Sequence, residues 1–110
     1  MSDFLLAPVA RLDLAEIWEY YAIELRNSDT ADRIRDEIFA AFRALAQTPG
    51  MGHFRSDLAK EPLRFWHVRS YLIIYRSEKR PIEIVRVLHG ARNVQAVLAA
   101  QRERKKARNS

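Results

Sequence analysis

The spacing of apolar positions divides the chain into two halves of different period. From Leu14, the residues Ile17, Trp18, Tyr21 and Leu25 follow at i+3, i+4, i+7 and i+11, one stripe of helical period. Asp13, Glu16, Glu19 and Glu24 fall on the remaining faces of that helix, and Pro8 suits its first turn. A short apolar stretch, Asp3 to Leu6, precedes it and reads as a strand. Asn27-Ser28-Asp29 interrupts the stripe and offers capping side chains. A second helix follows, with Ala31, Ile34, Ile38, Ala41, Phe42 and Leu45 on one face and a stop at Thr48-Pro49-Gly50. The connection is short, so the spacing predicts an antiparallel helical hairpin.

After a loop over residues 50–62 the pattern turns to β. Arg64 to Val68, Tyr71 to Arg76 and Ile82 to His89 are rich in β-branched and aromatic residues. Arg69-Ser70 and Ser77 to Pro81 are the turns between them, and the three strands read as an antiparallel meander. Asn93 can cap a short last helix with Val94, Val97 and Leu98 as its apolar residues. The expected order is β-α-α-β-β-β-α, an α+β fold. The helical hairpin covers one face of the sheet, and the other face stays open, partly roofed by the last helix.

Composition narrows the class. At 110 residues the chain makes one domain, expected over 1–110, with a basic and fraying end over 102–110. Hydrophobic residues at 48% exclude a disordered chain. No cysteine is present, which removes disulfides, zinc thiolates and cysteine nucleophiles and fits a reducing cytoplasm. The longest apolar runs, Phe4 to Ala10 and Ile38 to Phe42, fall far short of the roughly 20 residues of a membrane span. The N-terminus does not read as a signal peptide.

Charge changes the picture more. Residues 1–54 hold 5 Lys/Arg and 9 Asp/Glu, whereas residues 55–110 hold 14 and 5. Arginine supplies 15 of the 19 basic residues, and its planar fork suits carboxylate and phosphate. The second half therefore points either to an acidic or nucleic-acid partner or to a solvated basic surface.

Familiar catalytic patterns are missing. Gly50-Met51-Gly52 would need a third glycine where Arg55 stands, so it is no dinucleotide loop. No G-x-S-x-G occurs. His53, His67 and His89 have spacings that complete no zinc pattern, so neither a metal nor a cofactor is expected. His89, before Gly90, is placed to act as a general base or simply to bond backbone at a strand end. Strand parity puts Arg86 with Ile82, Ile84 and Leu88, and His89 with Val85 and Val87, on opposite faces. Arg64, Arg69, Arg76 and Arg86 suit RNA phosphates, an acidic peptide, or pairing with Glu61, Glu78 or Glu83. Phe65, Trp66, Tyr71 and Tyr75 can stack on bases, and core packing or a protein interface is the plainer use. The run from Arg102 through Arg104, Lys105, Lys106 and Arg108 suits nucleic acid or a solvated helix end.

Two segments carry a family resemblance. Tyr71-Leu72-Ile73-Ile74-Tyr75-Arg76, followed by Ile82-Glu83-Ile84-Val85-Arg86-Val87-Leu88-His89-Gly90-Ala91-Arg92, resembles the C-terminal signature of ParE-type toxins in the RelE/ParE superfamily. Ala15-Glu16-Ile17-Trp18-x-x-Tyr21 and Pro49-Gly50-Met51-Gly52 match the same pattern, and the likeness covers roughly residues 3–98. The resemblance implies a toxin of a type II toxin–antitoxin system. Its partner would be a cognate ParD-like antitoxin whose C-terminal segment folds onto the toxin as a hetero-oligomer. The antitoxin, not the toxin, would meet operator DNA. The ParE branch implies DNA gyrase as target and no enzymatic activity. The RelE branch implies ribosome-dependent mRNA cleavage, for which Arg64, Arg69, Arg86 and His89 are the available groups. No tyrosine follows residue 75, which departs from the RelE-branch nucleases with an active tyrosine near the C-terminus. Arg64, Trp66, Arg69, Tyr71, Arg76, Arg86, His89 and Arg92 are the residues expected to contact antitoxin or target.

Overall fold

The structure is a computed structural model that describes residues 4–90 and 92–108. Asp3, Ala91, Asn109 and Ser110 lie outside the described residues. The elements run β1 (Phe4–Leu6), α1 (Pro8–Glu19), α2 (Ser28–Gln47), β2 (His53–Phe54), β3 (Arg64–Val68), β4 (Tyr71–Arg76), β5 (Ile82–His89) and α3 (Val94–Arg108).

The helical hairpin forms as the periodicity predicts, with an irregular tip. Pro8 opens α1, and Tyr20–Glu24 continues it as a π-helical turn, closed by Leu25 N–H donating to the Tyr20 carbonyl at 3.0 Å. This wider turn shifts the helical phase, so Leu25 leaves the stripe and is exposed. Asn27 caps α2 by accepting from Thr30 N–H at 3.0 Å. Ala31, Ile34, Ile38, Phe42 and Leu45 are the buried face of α2. Trp18 Nε1 donates to Asp32 at 3.0 Å and ties the two helices together near the tip.

The sheet has five strands in the order β1-β5-β4-β3-β2. Strands β2 to β5 are antiparallel neighbours, as the meander requires. Two features go beyond the expectation. β1 lies parallel to β5, with Phe4 opposite Ile82 and Leu6 opposite Ile84, so the sheet is mixed. His53 and Phe54, read as loop, pair with β3. Two residues carry too little pattern to announce a strand.

The helical hairpin covers one face of the sheet, and α3 roofs part of the other, as expected, over a second buried cluster. Ile73, Tyr75, Ile82, Ile84 and Val87 pack under α1 and α2. Phe65, Leu72, Ile74, Val85 and Leu88 form a second cluster with Leu63 of the preceding loop and Val94 and Leu98 of α3. β4 is buried at five consecutive positions, the signature of a strand covered on both sides. Helix α3 is also longer than its apolar residues suggest, running through Arg108 without a break at Arg102. Asn93 caps it, accepting from Ala96 N–H at 3.1 Å.

A bulge breaks the parity of β5. Ile74 pairs with Arg86 and Tyr75 with Ile84, leaving Val85 as the extra residue. As a result Ile82, Ile84 and Val87 face the helical hairpin, while Val85 and Leu88 face α3. The regular-strand grouping of Arg86 with Ile82, Ile84 and Leu88, and of His89 with Val85 and Val87, therefore fails at this step.

Candidate functional site

The strand arginines are spent on the fold in different ways. Arg86 is the most deeply held. Its Nε and Nη2 donate to the two carboxylate oxygens of Asp13 at 2.8 Å each, and Val87 N–H donates to the same carboxylate at 3.0 Å. The Asp13 side chain is 5% exposed and that of Arg86 12%. β1 pairs with β5 only as far as Ile84. Beyond that point Arg86 reaches α1, so the fork–carboxylate pair clasps the helix to the bulged strand.

The spacing from Leu14 sets Asp13 on a face of α1 outside the apolar stripe, and the structure corrects this by burying it. The signal was present. Asp13 stands three residues after Ala10 and four before Ile17, a carboxylate on the apolar stripe of α1. Such a position demands a partner.

Arg64 lies at the other end of β3 and folds over the turn that ends α2. Its Nη1 donates to the Gly52 carbonyl at 2.8 Å, its Nε to Ser77 Oγ at 2.9 Å, and its guanidinium carbon sits 4.0 Å above the Phe54 ring. Arg69, in the β3–β4 turn, has φ 54 and pairs with Glu37 of α2. Arg76 pairs with Glu83 across the sheet at 3.4 Å, one of the partners expected for it. Arg92 is exposed in the loop before α3 and forms no ion pair among the described residues.

The aromatic candidates are structural in this arrangement. Tyr71 and Tyr75 are buried, Phe65 belongs to the second cluster, and Trp66 packs against the first. The Tyr75 hydroxyl donates to the Pro49 carbonyl at 2.7 Å and accepts from Gly52 N–H at 2.9 Å. A Cβ on Gly52 would lie 2.6 Å from that hydroxyl, so this glycine serves the close approach of Tyr75. Burial pushes the ionisation of Tyr71 well above its ordinary value of 10, with the Tyr21 hydroxyl at 3.4 Å adding to it. Burial raises Tyr75 as well, opposed by Gly52 N–H and Arg64.

His89 ends β5 with its ring edge-on to Tyr71, centroids 5.6 Å apart. It lines a shallow cavity of about 330 Å³ with Tyr20, Tyr21, Tyr71, Asp13 and Arg92. Arg64 and Arg69 stand at opposite ends of β3, on the order of 16 Å apart along an extended strand. The structure thus brings Arg86 to Asp13 and His89 to Tyr71, sets Arg69 at the same end of the sheet as His89, and leaves Arg64 at the far end of β3. Among the described residues no group of three or more His, Asp or Glu gathers as a metal site, and no helix is long and apolar enough to cross a membrane.

A larger groove, about 1100 Å³, opens between the start of α1 and α3. Leu63, Val85 and Leu98 form its apolar floor, with Leu12 on the α1 side and Val97 on the α3 side. Five arginines line it, at 76, 86, 92, 102 and 104, against Glu61 and Glu83. It can seat an amphipathic segment and receive carboxylates.

The fold and these surfaces define a small basic α+β protein with a helical hairpin on a mixed sheet and an arginine-lined groove. The ParE toxin family of type II toxin–antitoxin systems, parDE, matches residues 4–94, and the chain belongs to that family. Among solved structures it is similar to the chromosomal ParDE TA system from P. aeruginosa, with TM-score 0.65 and 20% identity over 78% of this chain and 92% of that one. At that identity the likeness speaks to the fold. No curated protein matches the chain.

Proposed function

We propose that this toxin acts by binding DNA gyrase and blocking replication, that it does so in the cytoplasm, and that a cognate ParD-like antitoxin neutralises it. The antitoxin docks through a C-terminal segment and carries the operator-DNA contacts of the complex. The observation that favours a binding protein over a nuclease is the separation of Arg64 from the other candidate groups and the commitment of Arg86 to Asp13. RNA cleavage by attack of a 2′-hydroxyl needs a base, a cation on the phosphate and an acid, all within hydrogen-bond reach of one phosphodiester. Arg64 and Arg69 lie at opposite ends of β3. Arg86 is committed to Asp13 through two bonds. His89 is packed against Tyr71.

Antitoxin binding is supported by the charge split of the chain and by the arginine-lined groove. The test is expression in growing cells with and without the antitoxin. Filamentation and DNA damage with intact mRNA are the expected outcome. Ribosome-dependent mRNA cuts that disappear in His89→Ala would replace this reading with the RelE-type one.

A further inference from the structure

The tip of the helical hairpin carries three large apolar side chains close together in the chain. Tyr20, Ile23 and Leu25 are 46%, 64% and 52% exposed. Single exposed apolar residues are ordinary, but a cluster of them marks a contact surface. The π-helical turn over Tyr20–Glu24 makes the cluster, because its wider winding shifts the phase and leaves Leu25 outside with Tyr20 and Ile23. Around them stand Glu16, Glu19, Glu24 and Asp29, all exposed, against one base, Arg26. None of these carboxylates forms an ion pair among the described residues. We propose that this acidic, apolar tip seats in the arginine-lined groove of a second copy of the chain, so that the free toxin associates tip to groove.

Charge complementarity names the occupant, and one chain carries both halves of it. Of the arginines that line the groove, Arg76, Arg86 and Arg102 are paired with Glu83, Asp13 and Glu61. Arg92 and Arg104 form no ion pair among the described residues, and they leave the groove positive. The tip is negative on the same reckoning. Apolar surface matches as well. Leu63, Val85 and Leu98 are the floor of the groove, and Leu12 at its α1 edge is 63% exposed. The end of α1 is thus an acidic segment with apolar side chains, which is the chemistry this groove accepts.

The tip does not reach the groove of its own chain. Leu12 and Ile23 stand on one continuous helical rod, about 16 Å apart along its axis. The contact joins unlike surfaces, so a copy without its tip still offers a groove, and a copy without its groove still offers a tip. Three apolar side chains and two unpaired arginines make a small interface, and interfaces below about 1,200 Å² are weak. Association is therefore expected at roughly 10–100 µM, not at nanomolar concentration. An antitoxin seated in the groove would dissolve the assembly. That consequence rests on the antitoxin reading given above, whereas the contact between copies does not.

The experiment is analytical ultracentrifugation of the purified full-length toxin from about 1 to 200 µM, at low and at high salt. The wild-type mass is expected to rise with concentration above the 12.9 kDa of one chain and to fall back at high salt. Ile23→Asp sets a carboxylate against the apolar floor, and Arg104→Glu reverses a charge of the groove. Both positions are exposed, so the fold is kept, and each variant is expected to stay at the mass of one chain. An equimolar mixture of the two restores pairs and nothing larger, because one copy keeps its groove and the other its tip. Arg33→Glu, the same charge change on an exposed position of α2, associates within about twofold of wild type. A wild-type toxin at the mass of one chain throughout overturns the proposal. An assembly sensitive to only one of the two substitutions overturns it as well, since its contact is then tip to tip or groove to groove. A mixture that forms no pairs has the same force.

Discussion

Removing the Asp13 carboxylate should be among the costliest single changes in α1. The side chain is 5% exposed and accepts three hydrogen bonds, two from Arg86 and one from Val87 N–H. Asp13→Ala leaves a guanidinium that is 12% exposed without its counter-ion and a backbone donor without an acceptor. Breaking a buried pair from one side costs about 3–5 kcal/mol. Arg86 borders the groove, where water reaches it, so the lower end of that range applies, about 3 kcal/mol. For a domain of this size that corresponds to a drop of roughly 15 °C in Tm. Asp13→Asn keeps an acceptor and the volume, and should cost about 2 kcal/mol. The double change Asp13→Leu with Arg86→Met removes both charges together and should cost less than Asp13→Ala alone. Urea unfolding of the three variants, with unchanged slope, reads these differences directly. A cost for Asp13→Ala within about 0.5 kcal/mol, the value of an ordinary surface position, would refute the reasoning.

Other outcomes follow from the same contacts. Tyr75→Phe strands Gly52 N–H and the Pro49 carbonyl and should cost about 1–3 kcal/mol in the same urea assay. Gly52→Ala should cost at least as much, because its Cβ must displace the Tyr75 hydroxyl. Folded Tyr71 and Tyr75 ionise above the ordinary phenol value of 10. The unfolded chain therefore binds fewer protons than the folded one above that pH, and stability should fall as pH rises past about 10. Phenolate absorbance would then show Tyr71 and Tyr75 ionising late, as the fold opens, and their ionisation at the ordinary phenol value in the folded protein would contradict it. Glu37→Ala removes an exposed partner of Arg69 and should change stability by no more than about 1 kcal/mol.

The elements that sequence made legible are those with strong periodicity. The buried face of α2 stands residue for residue where a period of 3.6 puts it, apart from Ala41, which is only half-buried. The meander is legible from its β-branched and aromatic enrichment and from the turns between its strands. Features that depend on distant partners were not. Nothing local in Phe4–Leu6 says that it lies parallel to β5, and nothing local in β5 marks Val85 as a bulge. The partial covering of the second sheet face is legible in the apolar residues of the last helix, and the unbroken apolar run of β4 agrees with it. Arg69 and Arg86 find their carboxylates 32 and 73 residues away, so their pairing with Glu37 and Asp13 belongs to the tertiary fold. Asp13 and Gln101 share one trait, a polar side chain on an apolar helical stripe.

Gyrase supercoiling with purified toxin, with and without its antitoxin, tests the central claim most directly. Loss of supercoiling with accumulation of cleaved DNA complex, reversed by the antitoxin, is the expected result. Undiminished supercoiling at high toxin excess would contradict it.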